Sequence, residues 1–307
     1  MFRALALTVA LALVPGLAAA APKKEPPAKR INPCNTPDRG WGAYERWDNI
    51  STGQVLLPQR GGVTAKGGID VLVHFHGHEP IRKEFAPLDS GIVLVGVDLG
   101  VSSAPYHQRF VIERTFIDVL RDVRRAMREH TGRDDIYIRR IGLSSWSAGF
   151  GATSQILQQP LGQKVDSVIL LDSLYGSYRE PSTREGLREE RVHAFVDFAE
   201  DAIKGRRFLY QTHSQIPTPQ YASTREMSVW LLGKIGGELR PAARKDRLGL
   251  ELIERFERRA YRVRGYAGKD KPAHCGHIGI IQDVVGVHLR RRWRTPRARA
   301  AEATSKP

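Results

Sequence analysis

Four short aliphatic runs mark the chain between residues 68 and 172: "GIDVLVHFHG" (68–77), "GIVLVGVDLG" (91–100), "YIRRIGLSS" (137–145) and "DSVILLD" (166–172). Continuous apolar runs of this length fit strands buried on both faces, and the helical patterns between them supply the crossovers that a parallel sheet needs. From Arg109 to His130, Ile112, Phe116, Leu120, Val123 and Met127 recur at steps of four, four, three and four. That is the stripe of a helix lying on a sheet, and Thr131-Gly132 ends it. The alternation continues with a helix marked by Val192, Phe195, Ala199 and Ile203, then strands "RRFLYQ" (206–211) and "AYRVRGY" (260–266). Between those strands "STRE" (223–226) reads as a capping box with Ser223 as N-cap and Glu226 at the third helical position. A helix over "IGIIQDVVGVHL" (278–289) closes the pattern, and "YERWDN" with "TGQVLLP" forms an antiparallel hairpin near its start. The fold class is therefore α/β, with eight mostly parallel strands flanked by helices in one domain over residues 41–289.

The ends read differently. Residues 1–20 carry one arginine, an apolar run from Ala4 to Val14 and a stretch of alanines, the layout of a secretory signal cleaved after Ala20. That run is shorter than the roughly 20 residues a bilayer needs. Residues 21–40 form a Pro/Lys leader, and residues 290–307 a basic, disordered tail. The net charge of +15 is concentrated there: residues 290–307 carry +6 and residues 21–30 carry +3. Basic ends of this kind favour loose attraction to an anionic envelope surface over a groove that reads nucleic acid. An exported, secreted or periplasmic protein with no transmembrane segment follows. In that setting the two cysteines, Cys34 and Cys275, can close a disulfide, with two unpaired thiols as the alternative.

The stretch richest in chemistry is "IGLSSWSAGFGA" (141–152), where a strand ends, serines follow, and Gly149 and Gly151 open a helix. A serine nucleophile in a strained strand-to-helix turn needs this arrangement, because small neighbours let the helix pass close to the strand. The usual G-x-S-x-G becomes Ser145-Trp146-Ser147-Ala148-Gly149, with Ser145 in place of the first glycine. On these residues the chain resembles the α/β-hydrolase superfamily over nearly all of residues 41–289. The resemblance implies an eight-stranded sheet whose fifth strand ends at Ser145, with acid and histidine following the serine in chain order. It places the acid most often after the seventh strand, where "RRFLYQTHSQ" has no Asp or Glu. Asp172, after the sixth strand, occupies an alternative position that some members use. The histidine belongs in the loop before the last helix, where "KPAHCGHIGII" offers His277, preferred, and His274.

This gives an expected Ser147–His277–Asp172 triad, needing no cofactor or metal, that cleaves an ester, thioester or amide of a small molecule or acylated polymer. The amide of Ala148 and that of His78 or Gly77 would hold the oxyanion, His76 would support the loop, and His213 would sit in a pocket or loop. Trp146, Tyr106 and Phe110 are candidate substrate walls, with residues 98–110 running over the site. Residues 173–191 are a candidate lid. Two other readings compete. "HFHGHE" (74–79) sets His74, His76 and His78 at alternate positions, as in a metal-dependent hydrolase, and Ser145 in place of glycine suits a non-catalytic binding protein on the same scaffold.

Overall fold

The structure, a computed structural model, describes residues 32–294. The signal, the leader up to residue 31 and the tail from residue 295 lie outside the described residues. In chain order the strands are β1 (Asp48–Asn49), β2 (Gln54–Leu56), β3 (Gly68–Phe75), β4 (Val93–Val97), β5 (Tyr137–Trp146) and β6 (Val165–Leu171). They continue as β7 (Gly176–Glu180), β8 (Glu185–Leu187), β9 (Phe208–His213), β10 (Tyr221–Ala222), β11 (Arg240–Lys245), β12 (Glu251–Arg258) and β13 (Tyr261–Ala267). The main sheet has the order β1-β2-β4-β3-β5-β6-β9-β13-β12-β11. From β4 through β13 every neighbouring pair is parallel, while β1-β2, β2-β4, β13-β12 and β12-β11 are antiparallel. This is the expected α/β-hydrolase architecture.

The sheet has ten strands where eight were expected. The two additions, β11 and β12, form a hairpin at one edge, and their residues are mostly exposed. Arginines, glutamates and a lysine fill both faces, so neither an aliphatic run nor an apolar alternation marks them, whereas all eight residues of β3 are buried.

Alternate residues of the central strands feed two cores, because strand side chains alternate between faces. Val71, Val73 and Phe75 join Phe116, Val119, Val123 and Phe195 on one side. Leu72 joins Ile81, Phe85, Ile281, Val285 and Trp293 on the other. The helices are α1 (His78–Phe85), α2 (Ser103–Phe110), α3 (Glu113–Thr131), α4 (Phe150–Leu157), α5 (Ala194–Ile203), α6 (Thr224–Lys234) and α7 (Lys271–Gly279). The capping box at Ser223 and Glu226 forms as expected. Gly132, in the left-handed conformation at φ 65°, ends α3. The long helix expected from Arg109 breaks at Val111-Ile112, so residues 103–110 are a separate helix and not a loop.

Both ends of the domain reach further than the composition suggested. Arg290–Arg294 is helical: Trp293 is buried, and Arg292 and the Trp293 indole both donate to Asp166. Residues 290–294 thus belong to the folded domain and not to the disordered tail expected from residue 290. At the other end Asp38 binds the buried Arg82 guanidinium, which also lies over the Trp41 ring. Cys34 and Cys275 are bridged, with Cα atoms 5.7 Å apart.

Candidate active site

β5 delivers Ser147 to the carboxyl edge of the sheet, and a short turn, Ser147–Gly149, leads into α4. Ser147 has φ 49°, a left-handed conformation that costs a non-glycine residue energy and projects its side chain from the turn. The glycines that follow are sterically required. A Cβ at Gly149 would collide with the Phe75 carbonyl at the end of β3, and one at Gly151 would lie 2.6 Å from the Ser103 carbonyl of α2. Ser145, where glycine is usual, is fully buried, its hydroxyl 3.0 Å from that of Ser173. Ser173 in turn donates to the Ser147 carbonyl at 2.8 Å. The departure from the motif therefore ties the turn to the segment after β6.

Asp172 stands at the end of β6, fully buried and also left-handed at φ 43°. Its Oδ1 accepts from the Ser214 amide at 2.8 Å and the Thr224 hydroxyl at 2.6 Å. Its Oδ2 lies 2.6 Å from His274 Nδ1. Burial opposes the charge, but the hydrogen bonds from His274 and Thr224 and the attraction to His274 hold the carboxyl well below the usual range. His274 is partly exposed, packs against the Trp146 ring with centroids 4.7 Å apart, and accepts the Trp146 indole N–H on its carbonyl.

The structure thus brings Asp172 to His274 and not to the preferred His277. His277 is fully buried, with its Nδ1 2.7 Å from the Thr212 hydroxyl, its Nε2 without a partner, and the Tyr266 ring edge-on against it. Thr212 also accepts the Asp172 amide at 2.8 Å and donates toward the Leu170 carbonyl. These contacts are all satisfied when His277 is neutral and protonated on Nδ1. Both histidines ride on α7, which begins at the N-cap Asp270, where the sequence suggested a loop.

The "HFHGHE" stretch does not behave as an extended strand. β3 stops at Phe75, and His76 (φ 72°) and Gly77 (φ 74°) both turn left-handed. His74 is buried with both ring nitrogens engaged, Nδ1 by the Ser144 hydroxyl and Nε2 by the His76 carbonyl. The three histidines therefore do not share a face, and the metal reading loses its geometric basis. His76 supports the loop as expected, bonded to the Tyr106 hydroxyl and stacked on Trp146. The Gly77 amide already donates to Asp98, which removes it as an oxyanion donor, while His78 starts α1, where first-turn amides lack intrahelical acceptors.

A cavity of about 550 Å³ opens on Ser147 and Ala148. Of the expected walls, Tyr106 and Phe110 are fully buried: Tyr106 holds Asp98 and Phe110 packs on Phe75. Trp146 is sandwiched between His76 and His274. None of these three lines the cavity; Ala104, His107 and Gln108, from the other face of α2, do. Phe150, Tyr175 and Tyr221 supply aromatic wall, with Tyr175 packed against both other rings. The candidate lid is in fact β7 and β8, joined to β10 in a three-stranded antiparallel sheet beside the cavity. His213 ends β9, buried against Gly265, and lies in neither pocket nor loop.

Burial pushes His277 down to about 4 and His74 down to about 3. Unfolded, both bind a proton near pH 6.5. Between those limits the unfolded chain holds more protons, so these two groups favour unfolding increasingly as pH falls from about 6.5 toward 4 and have no such effect above it. Melting temperature against pH is expected to drop across that window, and His277→Asn to flatten the slope; an unchanged slope would mean His277 titrates normally.

No family model and no curated protein matches this chain. Among solved structures it is similar to a siderophore hydrolase from Aspergillus nidulans, with TM-score 0.43 and 14% identity over 83% of this chain and 96% of that one. It is similar also to a poly(3-hydroxybutyrate) depolymerase from Bordetella parapertussis, with TM-score 0.42 and 15% identity over 80% and 88%. A Pyrococcus horikoshii acylaminoacyl peptidase gives TM-score 0.38 and 15% identity over 79% of this chain, which spans 41% of that one.

Proposed function

We propose that the protein is an exported serine hydrolase that cleaves an ester through an acyl-enzyme, with Ser147 as nucleophile, His274 as base and Asp172 as the acid that orients it. The single observation that supports this best is the 2.6 Å contact between Asp172 Oδ2 and His274 Nδ1, on a histidine that remains partly exposed while its carboxylate partner is fully buried. With Nδ1–H held by the carboxylate, His274 presents Nε2 as the basic atom. It takes the Ser147 proton as Oγ attacks the carbonyl carbon, and Asp172 stabilises the imidazolium. The oxyanion is held by the Ala148 amide and by that of His78. His274 then protonates the leaving alcohol, and a water, deprotonated by the same ring, releases the acid.

Thioesters and amides would follow the same course, with esters the expected better substrates. Export accords with the Cys34–Cys275 bridge, and no helix among the described residues is long and apolar enough to cross a membrane. Incubation of purified protein with a fluorophosphonate probe tests the nucleophile. Wild type is expected to label and Ser147→Ala not to; a folded wild type that stays unlabelled would leave the non-catalytic binding protein as the better reading.

A further inference from the structure

The cavity beside Ser147 has one charged wall, and the hydrolytic steps above make no use of it. Arg191 lines it from the turn before α5, with its carbonyl accepting the hydroxyl of Ser154 on α4. His107 and Gln108 line it from α2. The His107 imidazole is held below its ordinary value, by burial first and then by repulsion from Arg191, which lines the same cavity. Among the described residues no aspartate or glutamate lines the cavity.

Of the neighbouring cations Arg179 pairs with Glu190, Arg184 with Glu226 and Lys234 with Glu189, whereas among the described residues no carboxylate pairs with Arg191 or with Arg188, which donates instead to the Tyr178 carbonyl. Of these two, Arg191 is the one that lines the cavity. An exposed guanidinium at the edge of a concave site, beside an imidazole N–H that can donate a second hydrogen bond, is suited to a planar anion. The remaining wall is uncharged and mixed, with Phe150, Tyr175, Tyr221, Val101 and Val192 beside five serines. That suits an uncharged segment between the anion and the scissile bond.

We propose that the substrate of this site carries a carboxylate remote from the scissile carbonyl, and that Arg191, aided by His107, selects for it. The proposal rests on the reading of Ser147 as nucleophile. Two matched ester pairs test it: the p-nitrophenyl monoester of adipic acid against its methyl-capped neutral analogue, and 4-acetoxybenzoate against its methyl ester. The first pair puts the carboxylate on the acyl side and the second on the leaving group. Wild type is expected to prefer the anionic member of at least one pair in kcat/KM. Arg191→Ala should reduce that preference about tenfold, mainly through KM, and Arg191→Lys should restore part of it. Arg114→Ala, which removes the same charge from an exposed pair with Asp118, should leave the preference within twofold of wild type. No preference in either pair, or an equal loss in the Arg114 variant, would overturn the proposal.

Binding separates this proposal from the catalytic one. In Ser147→Ala protein, saturation-transfer NMR is expected to show adipate bound in preference to adipamide, and Arg191→Ala to abolish the difference. If that holds while wild type hydrolyses no ester, the anion site stands and the nucleophile falls. If wild type hydrolyses esters and adipate shows no preference, the reverse is true.

Discussion

His274→Ala is expected to lower ester hydrolysis and fluorophosphonate labelling by about 10⁴- to 10⁶-fold, the loss typical when one member of a catalytic triad is removed. His277→Asn should keep both within about tenfold of wild type while losing stability. The difference lies in what each ring touches. His274 meets the ionised Asp172 and is partly exposed, the setting the proposed base requires. His277 is sealed between Thr212 and Tyr266, with burial holding it neutral. Asparagine puts an amide at the Nδ1 position and so keeps a partner for Thr212, which limits the damage to about 1–3 kcal/mol. Melting temperatures of both variants are needed beside the rates. A folded His274→Ala enzyme with near-normal labelling, together with a dead His277→Asn, would return the role of base to His277.

Sequence alone could not separate these two residues, for a geometric reason. They stand three apart on α7, and residues at that spacing share a helix face, so both turn toward the end of β6. Which one reaches the carboxylate depends on how α7 is seated, and that is set by Asp270, by the bridge at Cys275 and by the Trp146 indole. The position of the proposed acid, Asp172, is likewise intelligible only in three dimensions. After β9, where the resemblance most often puts the acid, this chain offers the Ser214 amide and, at the first residue of α6, the Thr224 hydroxyl, and both donate to Asp172. The loop after β9 thus supplies donors to an acid contributed by its neighbour. In the same way Ser145 looks like a defect in the motif, yet it forms the hydroxyl pair with Ser173 that backs the Ser147 carbonyl.

What the sequence did reveal are the features governed by burial. β3, β4 and β6 are apolar on both faces because helices cover both faces, and a continuous aliphatic run records that directly. The cavity is the opposite case. Tyr106 and Phe110 are the conspicuous aromatics of their segment and were expected as walls, but they fill the core. The face of α2 turned to the cavity is small and polar, with Ala104, His107 and Gln108, and composition does not distinguish such a face from ordinary surface.

Reducing the Cys34–Cys275 bridge, or replacing Cys275 by serine, is expected to lower stability by about 2–5 kcal/mol, because the bridge closes a loop between residues 241 apart. For a domain of this size that is a fall in melting temperature of roughly 5–15 °C. Activity at 25 °C should nevertheless stay within about threefold of the oxidised protein. The seat of α7 has other supports: Asp270 caps it through the Ala273 amide, Trp146 donates to the His274 carbonyl, and Asp172 holds the His274 ring. Gly279 also packs closely against Leu248 and Pro33, so the segment carrying Cys34 is in contact with α7 even without the covalent link. Thermal melts and ester hydrolysis, each with and without reductant and for Cys275→Ser, separate two roles for the bridge. A stability loss with activity retained makes it a clamp on the folded state. Activity falling in step with reduction, at a temperature where the fold persists, would mean that the bridge itself sets the register of His274 against Asp172, and that this pairing depends on an oxidising compartment.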